Sequence, residues 1–388
     1  MKMRTGLLLL GMVGVLMAQE APMGSVEQPG KKEEKQLAGL KGKVTGMIAW
    51  ASSRANSKHD IWIMNADGSE KRPLTQGDRV DWYARFSPDG NTVLFTRSKS
   101  GWVPEGDAEV FDKWDIWTIG IDGSDEHKVA DNACWGTWRP SGDSIVFARG
   151  PKVFVKDLVS GAEKEIFDAG VSLKKGAYSQ QPQLSPDGTK LAMTVRGSRR
   201  ETGIWNFKEH AWYSTGAGCQ VEWFPDGKRI LRMNEGQGNG GTEVLAISLD
   251  EKGNPTDKIS GLAIPKKMRF MDISGRRSHE YFPKLDQTGK WMVWCATQYG
   301  HEHDIADYEV YLWNIDTDKN KGPVRLTFHS GNDRWPDIFT GTPEPKASLK
   351  SETSGGLTEK EEVPAPEQSA EEPVDSTAGS SDEETTGE

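Results

Sequence analysis

The chain has 388 residues, with 48 Lys and Arg, 58 Asp and Glu, and three scattered cysteines, Cys134, Cys219 and Cys295, which are too few for a disulfide framework. Its net charge of −10 equals that of residues 341–388 alone, where 13 acids meet 3 bases, so the first 340 residues sum to zero. A neutral body with an acidic end argues against a basic nucleic-acid surface, and no nucleic-acid partner is expected.

Chain order begins with a leader. Met1–Ala18 carries Lys2 and Arg4, then an apolar run from Leu7 to Leu16, then "LMA". This is the layout of a secretory signal peptide and its cleavage site. The run is too short to cross a bilayer, and no second apolar segment follows, so no membrane span is expected. No cysteine follows the cleavage site. Without a lipid anchor, the mature protein is expected to be periplasmic or secreted, and monomeric. Residues 19–42 read as a polar linker. Residues 341–388, rich in Glu, Ser, Thr and Pro, bury too little surface to offset chain entropy and read as a disordered, solvated tail.

Residues 43–340 are strand after strand. Tight-turn clusters recur as "FSPDG" (Phe86–Gly90), "LSPDG" (Leu184–Gly188) and "WFPDG" (Trp223–Gly227), with weaker copies "WRPSG" (Trp138–Gly142) and "LDQTG" (Leu285–Gly289). Proline presets φ, aspartate bonds the local backbone, and glycine takes the positive φ. Each turn leads into an apolar strand such as "TVLFTR". A strand such as "DIWTIGIDGS" or "EVYLWNID" comes next, and a fourth often ends like "RPLT". Four strands per repeat of this length predict an all-β fold, a β-propeller. The repeat resembles that of the TolB-like propeller family, over about Lys43 to Thr340. The first unit lacks an "SPDG" strand, and "GNDRWPDIFTG" (Gly331–Gly341) supplies one with no blade after it. A C-terminal strand completing the first blade therefore closes a six-bladed ring. The expected blades are 44–75 with 332–339, then 78–130, 132–168, 177–214, 217–263 and 279–328.

In a blade a-b-c-d, the b–c loops and d–a connections share one end of the ring. The a–b and c–d turns share the other. His59, His279, His301, His303 and His329 all fall on the b–c end of the first and last blades. Gln298, Asp304 and Asp307 accompany them. Such donors suit a divalent ion, Mn or Zn, with Gln298, His301, His303, Asp304 and His279 as its ligands. They equally suit a polar pocket without metal, or plain solvated loops. Arg276, Arg277 and Arg334 flank the histidines, with Trp102 and Trp114 in the long b–c insertion of the second blade. Arginine forks bind carboxylates, sulfates or phosphates, so a glycan, peptide or protein ligand held by His59, His279, His329, these arginines and these tryptophans is expected there.

Other motifs fail in context. "GQGNGG" (Gly236–Gly241) joins two strands with no helix to follow, and no G-x-S-x-G elbow occurs. The sequence reading is a non-catalytic binding propeller, exported, that recognises a polar or anionic ligand. The alternative is a metal-dependent lyase or hydrolase acting on an anionic saccharide. That alternative follows from the resemblance of Gln298-x-x-His301-x-His303 to the metal ligands of oligogalacturonate lyases.

Overall fold

The computed structural model describes residue 20 and residues 22–344, apart from 237 and 258–263. The leader at 1–18 and the tail from 345 lie outside the described residues. Six four-stranded antiparallel sheets make up the body. Blade 1 runs Asp333–Thr340, Gly46–Ser52, Asp60–Asn65 and Arg72–Pro73, and blade 2 Asp81–Phe86, Thr92–Ser98, Trp114–Gly120 and His127–Ala130. Blade 3 runs Cys134–Trp138, Ser144–Arg149, Lys152–Asp157 and Glu163–Asp168, and blade 4 Ala177–Leu184, Lys190–Gly197, Glu201–Asn206 and Ala211–Gly216. Blade 5 runs Cys219–Trp223, Arg229–Glu235, Thr242–Ser248 and Arg269–Met271, and blade 6 His279–Leu285, Trp291–Thr297, Glu309–Asn314 and Val324–Arg325.

The ring closes as the repeats require. The last strand, Asp333–Thr340, pairs antiparallel with Gly46–Ser52, Ile48 facing Ile338. It sits innermost in blade 1, so every a strand lines the axis. Apolar faces of successive blades meet in buried clusters, such as Leu94, Ile116, Ile145 and Phe147 between blades 2 and 3. The Pro-Asp-Gly turns form as expected. Gly90 takes φ +74°, and a Cβ there would lie 2.4 Å from the Phe339 ring. Ser87 Oγ accepts from Thr92 N at 3.0 Å, and Asp89 Oδ1 from Asn91 N at 3.1 Å.

Two segments differ from expectation. The outer strand of blade 5 lies at Arg269–Met271, beyond the predicted end at 263, and pairs through Val244–Met271 and Leu245–Arg269. Three residues carry too little periodicity to announce a strand. The stretch 19–42 is not a free linker in its described part. Glu27 N donates to Phe328 O at 2.9 Å, Ser330 N to Ser25 O at 3.0 Å, and Val26 bridges His329. An eight-residue helix, Lys31–Ala38, follows, with Glu33 and Glu34 in its first turn, where they favour the positive end of the helix dipole. Its Gln36 Nε2 donates to Pro323 O at 3.2 Å, and Leu37 packs on the core. Composition registers the polarity of this strap. Backbone pairing with blade 6, which composition does not register, is what holds it.

Candidate binding funnel

Each a strand carries one bulge and one left-handed residue. These are Tyr83, Trp135, Gln181, Gln220, Phe282 and Trp335, with φ of 60, 62, 54, 60, 58 and 50°. The register of every a–b pair slips beside them. Left-handed backbone at a non-glycine residue costs of order 1–3 kcal/mol, so six equivalent cases mark an imposed geometry. The bulge turns these side chains toward one another around the axis. Tyr83 and Trp135 lie 4.9 Å apart, Trp135 and Trp335 5.4 Å, and Trp335 and Phe282 4.2 Å between ring centroids. Gln181 and Gln220 continue the ring, since Gln181 Oε1 accepts from Gln220 N at 3.0 Å and Gln220 Oε1 from Phe282 N at 2.5 Å.

Below this plug, toward the a–b turns, opens a funnel of about 470 Å³. Two residues beyond each left-handed position stands a wall residue: Arg85, Thr137, Gln183, Glu222, Lys284 and Asp337. Phe86, Trp138, Trp223 and Phe339 line the space around this polar ring. Lys284 is ion-paired with Glu222, which also accepts from Gln183 Nε2 at 2.8 Å. Asp337 Oδ2 accepts from Phe86 N at 2.7 Å. Burial raises the Asp337 carboxyl to about 6, although Arg85 and Lys284 pull it down. Burial also lowers the Lys284 ammonium, as does the Arg85 charge, against the pull of Glu222.

Arg85 is the least satisfied member. It is 4% exposed and stacks 3.7 Å over the Tyr83 ring. Its Nη1 donates to Ala84 O at 2.5 Å, while Nε and Nη2 meet no acceptor among the described residues. Buried charged donors left unmatched cost more than the ~1–3 kcal/mol of a neutral group. Arg85 is thus the wall charge with donors left to satisfy.

The opposite, b–c end is closed on the side where the sequence placed the ligand. The blade-2 insertion sends Glu105 across the axis. Its carboxylate accepts from His303 Nδ1 at 2.7 Å, Arg334 Nη1 at 2.8 Å and Trp335 Nε1 at 2.7 Å. Burial alone would raise the Glu105 carboxyl, but His303, Arg334 and Trp335 outweigh it and hold it below the usual range. Asp304 pairs with Arg334 at 2.8 Å and accepts from Glu105 N at 3.0 Å. Under this cap Arg334, Trp114, His59 and His329 are essentially unexposed, and Trp102 is half-buried against His59. His59 Nε2 donates to Asn332 Oδ1 at 3.0 Å, and burial lowers its pKa well below the ordinary value. His329 Nε2 donates to Met23 O of the N-terminal strap. These residues hold the cap together and present no open ligand face, because long loops covering an axis must bury their own polar groups against each other.

The metal-ligand expectation finds its residues committed elsewhere. Gln298 Oε1 accepts from Arg276 Nε, His303 and Asp304 belong to the Glu105–Arg334 network, and His301 is exposed. His279 begins strand a of blade 6, half-buried. Among the described residues no three His, Cys, Asp or Glu side chains are arranged to hold an ion. Gln298 and Asp304 already serve guanidinium groups, and His303 the Glu105 carboxylate. Arg276 and Arg277 lie instead along a cleft at the side of blade 6.

No protein-family profile matches the chain. TolB from Acinetobacter baumannii superposes with a TM-score of 0.54 at 13% identity, over 76% of this chain and 67% of that one. The fold is that of a TolB-like six-bladed propeller. An oligogalacturonate lyase from Vibrio parahaemolyticus aligns at a TM-score of 0.40 and 10% identity, over 62% of this chain and 69% of the lyase, which carries no functional argument. An uncharacterised protein of Agrobacterium fabrum is 27% identical over 149 residues, 34% of this chain. The match takes in 46% of that relative's length.

Within this TolB-like propeller the funnel wall was not singled out from sequence, yet a signal was present. In blades 2 to 6 the wall residue stands immediately before the five-residue turn motif, three before its third position, as Arg85 before Pro88 and Glu222 before Pro225. Stacking the repeats shows a row of polar residues inside strands that otherwise face the core.

Proposed function

We infer that this protein is an exported, non-catalytic binding propeller. Its ligand is a polar chain segment with an acidic group, most simply an extended segment of a partner protein, entering the funnel on the a–b side. Arg85 carries the reading: this guanidinium stands on the funnel wall, and two of its nitrogens, Nε and Nη2, lack acceptors among the described residues. Glu222, Lys284 and Asp337 supply further charges of both signs to fix the segment's orientation. The surrounding aromatic and proline side chains give apolar contact area, as recognition sites combine a few polar anchors with apolar walls.

The test is binding of the mature protein to peptide and glycan arrays, followed by fluorescence anisotropy on the hits. Arg85→Gln should weaken binding about 10- to 100-fold, the range for one charged hydrogen-bonding anchor. The half-exposed rim variant Arg139→Ala, which leaves the buried wall intact, should weaken it less. Hits that keep full affinity in both variants would overturn the assignment to this funnel.

A further inference from the structure

The docked N-terminal strap creates a second cavity that the funnel does not use. It lies between the helix Lys31–Ala38 and the outer edge of blade 6, with a volume of about 680 Å³. Lys32, Arg276, Arg277, Lys321 and Arg325 face it, against Glu27, Glu33 and Asp307. Pairing removes part of that charge. Arg277 holds Asp307 at 2.6 Å, and Arg325 holds Glu309, with Glu27 at 3.5 Å. Lys32, Lys321 and Arg276 have no carboxylate within 4.0 Å among the described residues. Arg276 spends only its Nε, on the Gln298 amide oxygen, so both Nη groups of its fork stay available. Three uncommitted cations thus meet one uncommitted carboxylate, Glu33.

We propose that this cleft binds a small organic oxyanion of sugar size. The charge excess selects an anion, and the Arg276 fork matches a carboxylate or phosphate in two parallel hydrogen bonds. The volume is far beyond an inorganic ion and within the range of small-molecule sites. Gln36, Asn320 and Ser274 offer neutral donors and acceptors for hydroxyl groups. The helix supplies one wall, so ligand binding and docking of the strap are linked: each favours the other.

The probes are galacturonate and glucose 6-phosphate, which separate a carboxylate source from a phosphate source, with galactose and glucose as neutral controls. Mature protein is titrated by calorimetry at low and at physiological salt. At least one anion should bind, more weakly as salt rises, while the neutral sugars do not. Arg276 and Lys321 are exposed, so Arg276→Ala with Lys321→Ala should fold normally and lose at least tenfold in affinity. Lys174→Ala with Lys175→Ala, on the exposed surface after blade 3, should bind as the parent does. No heat with either anion, equal binding of the neutral sugars, or equal loss in the Lys174 and Lys175 control would overturn the proposal. Because Arg85 lies in the funnel, Arg85→Gln should leave this binding unchanged, which separates this site from the function proposed above.

Discussion

Glu105→Gln should destabilise the folded ring by about 3 kcal/mol. Glu105 is 8% exposed and meets Arg334, which is not exposed at all, together with His303 and the Trp335 indole. Removing one partner of a buried ion pair costs ~3–5 kcal/mol, chiefly because the other charge stays buried. Asp304, 2.8 Å from Arg334, remains in the variant and places the cost at the lower end. For a body of this size each kcal/mol lowers the melting temperature by about 2 °C, so the expected drop is about 6 °C. Tryptophan fluorescence reports it directly, since Trp82, Trp135 and Trp335 crowd the axis beside Glu105. Asp107→Asn, two residues on, removes an exposed pair with Lys113 and should cost no more than about 1 kcal/mol. The two variants should also differ in acid. The Glu105 carboxyl is held below its ordinary value of 4.5, so its contribution is complete above that pH and fades as pH falls through the lower folded value. The gap between parent and Glu105→Gln should therefore narrow once pH falls below 4.5 and close as it passes the lower folded value. A Glu105→Gln protein within 1 kcal/mol of the parent at pH 7 would refute the reasoning, because Glu105 would then be acting as a surface charge.

Two other outcomes follow from single observations. Glu280 is buried with one oxygen unpartnered, and burial raises its carboxyl to about 9. A folded value above the unfolded one means that stability is lost as pH rises from about 4.5 toward 9, so Glu280→Gln should stabilise increasingly from pH 5 to pH 8 in thermal melts. A gain independent of pH would exclude this cause. Gly90→Ala should cost about 1–3 kcal/mol in denaturant unfolding, from the left-handed backbone and the Phe339 contact. A neutral result would show that the turn rearranges freely.

The legible part of this protein is what repeats locally. Pro-Asp-Gly turns and apolar strands recur with the blade, so blade number and ring closure by Asp333–Thr340 are readable in the sequence. Loop placement was readable too, since strand alternation puts His59, His303 and His329 at the same end. Their role was not. Exposure was assumed for Trp114, His59 and Arg334 because loops lie at the surface, but the insertion carrying Glu105 folds over the axis and buries them. That contact joins residues 229 apart in the chain, and no periodicity encodes it. The reverse error befell the funnel. Lys284 and Asp337 were not singled out within their strands, and they form one wall only because six bulges aim them at a common axis.

Local backbone chemistry, by itself, determined the turns, the strands and the six-bladed ring, because proline, glycine and alternating apolar side chains act over a few residues. Only the tertiary structure decided which end of the channel is open. That outcome depends on how a fifteen-residue insertion (Lys99–Lys113), an N-terminal strap and the strand entering blade 1 satisfy one another's buried charges. Such balances are set by distances between chain-remote groups, which a linear order of residues does not contain.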